Sequence, residues 1–178
     1  MTALSFFCPG RPQTAGSKTA VPTKAGLRVL EAGTKESRAR KKTWRGDLRD
    51  AAQLALSMQA GRPVLVKSPV FRDEPLYLML AIVRRRPSAH LGTGRNAAVV
   101  KERYRPLLPV GRPDTVKMAR AAEDALTGFL WADDSQIVQH SLYKVFADQA
   151  GLDPAAEGLY VHVTVRDRYV GPMIGEAA

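Results

Sequence analysis

The chain has 178 residues, 45% of them hydrophobic, which suits one domain with a closed core. Lys and Arg number 27 against 17 Asp and Glu, and the net charge of +10 favours polyanionic partners, nucleic acid ahead of an anionic membrane surface. No apolar run approaches the roughly 18 to 20 residues needed to span a bilayer, and the start lacks a signal-peptide pattern, so a soluble cytoplasmic protein is expected. The single cysteine, Cys8, excludes an intrachain disulfide and, with only three histidines, a zinc cluster. Any metal is expected on oxygen ligands.

In chain order, residues 4–8 predict a short inner strand ended by Pro9-Gly10. Residues 10–24 are rich in Gly, Pro, Ser, Thr and Lys without apolar periodicity, and read as a long surface loop. Residues 27–31 alternate and predict a short strand. A helix follows, in which Trp44, Leu48, Ala51, Ala55 and Met58 form the apolar stripe and Arg38, Arg40, Lys41, Lys42, Arg45 and Arg49 the remaining surface, ended by Gly61-Arg-Pro63. Residues 76–83 are an almost unbroken apolar run, too short for a typical helix and fit for a strand buried on both faces.

Arg84-Arg85-Arg86 then opens a loop of about 25 residues with further cations at Arg95, Lys101, Arg103, Arg105 and Arg112. Within it, Ser88-Ala-His90 and Gly92-Thr-Gly94 can offer amides and an imidazole to phosphate oxygens. Gly92-x-Gly94 lacks the third glycine and the strand-turn-helix context of a nucleotide fingerprint, and no nucleotide cofactor is expected.

The chain is organised around residues 112–138, RPDTVKMARAAEDALTGFLWADDSQIV. Asp114 stands where a helix N-cap belongs, since its carboxylate can accept the amide hydrogens that a first turn leaves unpaired. Met118, Ala121, Ala122, Ala125 and Phe129 recur at helical steps, and Thr127-Gly128 closes the helix. Asp133-Asp134 falls in the loop leading to an alternating segment, 136–146, whose return would bring Asp134 towards Asp114. Residues 148–158 form an acidic turn-rich connection, and 159–165 alternate as a half-buried strand. Beyond residue 168 there is no periodicity, so one domain over 1–168 and a loosely held tail, 169–178, are expected.

Charge is segregated along the chain. Residues 11–49 hold eleven cations against three acids and 84–120 hold ten against two, whereas 121–157 hold seven acids and only Lys144. A basic surface around a local acidic cluster suits an enzyme that grips a phosphate backbone and brings a divalent cation to it. On the residues alone, Asp114 reads as a helix cap and Asp133-Asp134 as a solvated turn ahead of metal ligands.

Arg112-Pro-Asp, the alanine-rich helix with Asp124-Ala-Leu-Thr, and Trp131-x-Asp-Asp-Ser-Gln-Ile-Val resemble the RusA family of Holliday junction resolvases, particularly its phage-borne members. Gly10-Arg-Pro, Gly16-Ser-Lys and the segment from Arg86 to Gly94 extend the likeness to most of the chain. The resemblance implies a single α+β domain, a mixed sheet with two main helices packed on it, and a homodimer that binds four-way DNA junctions. It implies magnesium, with manganese as a substitute, held by Asp114 and Asp134, with support from Asp133 and Asp124; Lys117 is added as a supporting cation, and the four-residue spacing lets Asp124 pair with Arg120 across one helical turn.

By the same likeness Arg11, Ser17, Lys18, Arg84, Arg85, Arg86, His90, Arg95 and Arg112 meet DNA. Two positions depart from the pattern. Val116 stands where the family places a second aspartate, and Lys117 where it places asparagine. Arg120 stands where the family has a lysine, keeping the charge as an oxyanion clamp but unable to act readily as a proton donor. The missing carboxylate leaves a second expectation open, a junction-binding protein that no longer cleaves. A general RNA-binding module lacks the aromatic arrangement of single-strand platforms.

Overall fold

The computed structural model describes residues 1–15, 18–24, 26–31 and 34–167. The expected tail, residues 169–178, lies outside them. Four strands, β1 (Ala3–Pro9), β4 (Leu76–Arg84), β5 (Ile137–Phe146) and β6 (Gly158–Val165), make one sheet in the order β1-β6-β4-β5, with β2 (Lys18–Thr23) and β3 (Gly26–Glu31) as a separate hairpin. β4 runs parallel to β5 and antiparallel to β6, and β1 is antiparallel to β6, so the sheet is mixed. Helices α1 (Lys35–Ala60) and α2 (Thr115–Leu126) complete a single α+β domain.

Alternation decides which face the helices cover. Leu76, Leu78, Leu80 and Ile82 of β4 are buried together with Val161 and Val163 of β6 and Leu4, Phe6 and Cys8 of β1. Tyr77, Met79 and Ala81, on the other face, are only partly covered, so β4 is central in the sheet but not buried on both sides. β1 is an edge strand and not the expected inner one. Gly158 is required where β6 crosses β1, because a Cβ there would lie 2.5 Å from the Cys8 carbonyl oxygen.

The α1 stripe starts as expected at Trp44 and Leu48, but continues in four-residue steps through Ala52 and Leu56, leaving Met58 exposed. Thr34 caps its first turn by accepting from the Ser37 amide at 3.2 Å, and Gly61, at φ 64°, ends it. α2 buries Met118, Ala121, Ala122 and Ala125 and is fastened to α1 by the Arg49 guanidinium, whose Nε donates to the Ala125 carbonyl. Alanines on this face let the two helices approach closely. The expected 10–24 loop is corrected by β2, whose pairing with β3 from Lys18↔Glu31 to Thr23↔Gly26 supplies the order that its composition does not announce.

Candidate active site

α2 sets the geometry of the carboxylates. Asp114 is its N-cap, with Oδ1 accepting from the amides of Val116 at 2.9 Å and Lys117 at 3.2 Å. Asp134 docks at the other end. Its Oδ1 accepts from the Thr127 hydroxyl and, at 3.1 Å, from the buried indole Nε1 of Trp131. Thr127 is the C-cap of α2. A helix of 12 residues separates the two aspartates, which at 1.5 Å per residue is about 18 Å along the axis. The expected return of Asp134 towards Asp114 is therefore corrected: α2 is a spacer that holds them apart.

One chain does not offer the two aspartates to a common metal, and among the described residues no group of three His, Cys, Asp or Glu side chains is placed to hold one. Each end of α2 has its own character. At the N-terminal end, Asp114 lines a cleft of about 550 Å³ with Arg112, Lys117 and Lys144. That cleft shares Thr14, Arg112 and Pro113 with a second, about 520 Å³, lined by Arg11, Arg40 and Arg84. Arg11 and Arg84 continue into a third, about 460 Å³, that Arg85 also lines. A basic groove thus runs from the first arginine of the 84–86 run to Asp114, and its charge suits a phosphate backbone.

The C-terminal end is acidic. Asp133 caps a 3-10 turn, Asp134–Gln136, accepting from the Ser135 amide at 2.9 Å, and hydrogen bonding from the Ser135 side chain and amide holds its carboxyl below the usual range. The turn presents Asp134 against Thr127. Glu123, one turn earlier on α2, meets His140 of β5, with Nε2 and Oε1 3.2 Å apart. Burial raises the Glu123 carboxyl, the charges of Asp134 and Asp124 raise it further, and His140 and Arg120 oppose them. Glu123 and His140 carry no signal in the sequence: only the packing of α2 on β5 makes them neighbours.

Several expected contacts fall elsewhere. Asp124 reaches Arg45 of α1, with Oδ2 and Nη2 3.5 Å apart, in place of Arg120. Arg86 is corrected from a DNA ligand to a core residue: its guanidinium is fully buried, donates to both oxygens of Asp148 at 2.6 and 2.9 Å and to the carbonyls of Tyr104 and Arg105, and lies over the Phe146 ring. His90 is likewise packed, stacked on Tyr104 at 4.2 Å with Nδ1 buried, which removes that nitrogen from phosphate contact. These two residues pin the long loop to the sheet. Arg95 is exposed on a 3-10 turn, Gly94–Asn96. Lys18 opens β2, while its side chain and Ser17 lie outside the described residues.

The family model for Endodeoxyribonuclease RusA matches residues 34–153, from the cap of α1 through β5, and so takes in both ends of α2. The chain belongs to this family. RusA enzymes are Holliday junction endodeoxyribonucleases, hydrolases that bind branched DNA and generally depend on a divalent metal. No curated protein matches the chain. Val116, the second residue of α2, is 54% exposed and brings no oxygen to the Asp114 end. Among the described residues no helix is long and apolar enough to cross a membrane.

Proposed function

We propose that this chain resolves four-way DNA junctions by paired, magnesium-dependent nicks, acting as a homodimer in which each site combines Asp114 of one protomer with Asp134 of the other. The observation that carries this reading is the separation of the two aspartates by α2, with a basic groove ending at one and an acidic cluster surrounding the other. An antiparallel pair of α2 helices about a twofold axis apposes the basic end, Arg112, Lys117 and Lys144, with the acidic end, Glu123, Asp124, Asp133 and Asp134. That surface is self-complementary, as an isologous contact must be.

β5 supports the same arrangement. It is an edge strand that leaves Val138 63% and Tyr143 49% exposed, an edge that a second copy can cover. A twofold enzyme also presents two sites to two strands of a junction. A divalent ion bound by carboxylates supplies a water made nucleophilic near neutral pH and charge compensation at phosphorus. The protein's own part is to hold the backbone along Arg11, Arg84, Arg85 and Arg112 and to clamp a phosphate oxygen with the exposed Arg120.

The test is complementation between Asp114→Asn and Asp134→Asn proteins, each of which binds a labelled junction without nicking it. When the two are mixed and subunits exchange, one of the two sites in every heterodimer recovers both aspartates, and single nicks return. Continued inactivity of the mixture, with heterodimers demonstrated, rules out a shared site. Val116 favours one further reading, a protein that binds junctions without cutting them, which predicts tight binding and no nicks from the unaltered chain with magnesium or manganese.

A further inference from the structure

Resting on the endonuclease reading above, we propose that His140, oriented by Glu123, is the general acid that protonates the leaving sugar oxygen. Cleavage of a phosphodiester needs a proton at that oxygen. Arg120 cannot readily provide it, because a guanidinium stays charged at any working pH and binds oxyanions without releasing a proton. An imidazolium can, because its ring N–H both donates a hydrogen bond and gives up its proton.

The geometry fits this use. His140 stands on β5 in register with Leu78 of β4, which puts it on the helix-covered face of the sheet, at the uncovered edge beneath α2. Its Nε2 is 3.2 Å from Oε1 of Glu123, and the imidazole is 35% exposed while the carboxylate is 15% exposed. A largely buried carboxylate 3.2 Å from Nε2 favours the charged ring and leaves Nδ1 to carry the transferred proton towards solvent or substrate. Glu123 is in turn tied to the Asp134 end of α2, because the Thr127 hydroxyl that meets Asp134 also lies 2.9 Å from the Glu123 carbonyl oxygen. The pair therefore stands beside Asp134 on a rigid strand and helix.

The step balances as follows. The oxygen of water forms a bond to phosphorus, the bond from phosphorus to the bridging sugar oxygen breaks, and its electron pair stays on that oxygen. The Nδ1 proton of imidazolium passes to it, leaving neutral imidazole with its remaining proton on Nε2, and solvent restores the lost proton. The proton of the attacking water leaves to solvent.

The experiment compares junctions with oxygen or sulfur at the leaving bridging position, identified beforehand from the product ends, because a thiolate leaves without a proton. His140→Asn and His140→Gln are expected to slow the oxygen junction about 10²- to 10⁴-fold, the usual contribution of general acid catalysis. Both should cleave the sulfur junction within a few-fold of the unaltered protein, and Glu123→Gln should show the same pattern with a smaller loss. An equal loss on the two substrates overturns the proposal and leaves His140 a structural residue, as does unchanged cleavage of the oxygen junction. Selective sulfur rescue of Lys117→Met, and not of the His140 variants, overturns it in favour of Lys117. Absence of nicking by the unaltered protein, with the junction bound, sinks the endonuclease reading itself and this role with it.

Discussion

Asp114 has two duties that substitution can separate. Asparagine caps a helix about as well as aspartate but gives up the charge, whereas alanine loses the cap at a cost of about 1 kcal/mol. Asp114→Asn is accordingly expected to unfold at nearly the same urea concentration as the unaltered protein and to lose nicking; Asp114→Ala should lose both, which paired denaturation and cleavage measurements check. Arg86 and Asp148 show the reverse case, a pair with a structural duty alone. Hydrogen bonding from Arg86 is the main cause holding the Asp148 carboxyl below its ordinary range. A depressed folded value means the stabilisation is present above the unfolded carboxyl value and is lost as pH falls below about 4. Asp148→Asn leaves the fully buried guanidinium without its counter-charge, and is expected to cost about 3 kcal/mol and to remove this acid-dependent component from urea midpoints measured between neutral and acid pH.

As an element, α2 is a spacer with unlike ends. Its apolar face against α1 is built of alanines and Met118, so its outer face is free for charges whose sign changes along the axis, from Lys117 and Arg120 to Glu123 and Asp124. Val116 sits in the first turn, where a carboxylate is favoured by the helix dipole by about 0.3–1 kcal/mol. Being 54% exposed, it gives up little packing when replaced. Val116→Asp should therefore leave the melting temperature equal or raised and increase the single-turnover nicking rate; a folded variant with no gain in rate would mean that the Asp114 end already holds all the carboxylate it uses. β5 complements α2: it carries His140 towards the helix and leaves Val138 and Tyr143 outward.

At the scale of the whole molecule, the three confluent clefts collect cations from residues as distant in sequence as Arg11, Arg84 and Arg112, so a backbone laid in them releases several counterions at once. Replacing Arg11 and Arg85 together by serine should weaken junction binding and lower the slope of log affinity against log salt by about 2; an unchanged slope would place the DNA elsewhere. Much of the chemistry was legible in the sequence, because it rests on local rules. The N-cap at Asp114, the alanine stripe of α2, the stop at Thr127-Gly128 and the alternation of β6 each depend on residues within a few positions. What the sequence could not decide depends on contacts across the chain. The strand at β2 exists through its pairing with β3, Arg86 is buried against the carboxylate of Asp148, 62 positions away, and Glu123 meets His140 only because α2 packs on β5. The sequence by itself determined the family, the α+β class and the basic character of the partner surface, since composition and short motifs carry these. Only the tertiary structure decided that α2 keeps Asp114 and Asp134 apart, because a rigid helix converts a distance along the chain into a distance in space.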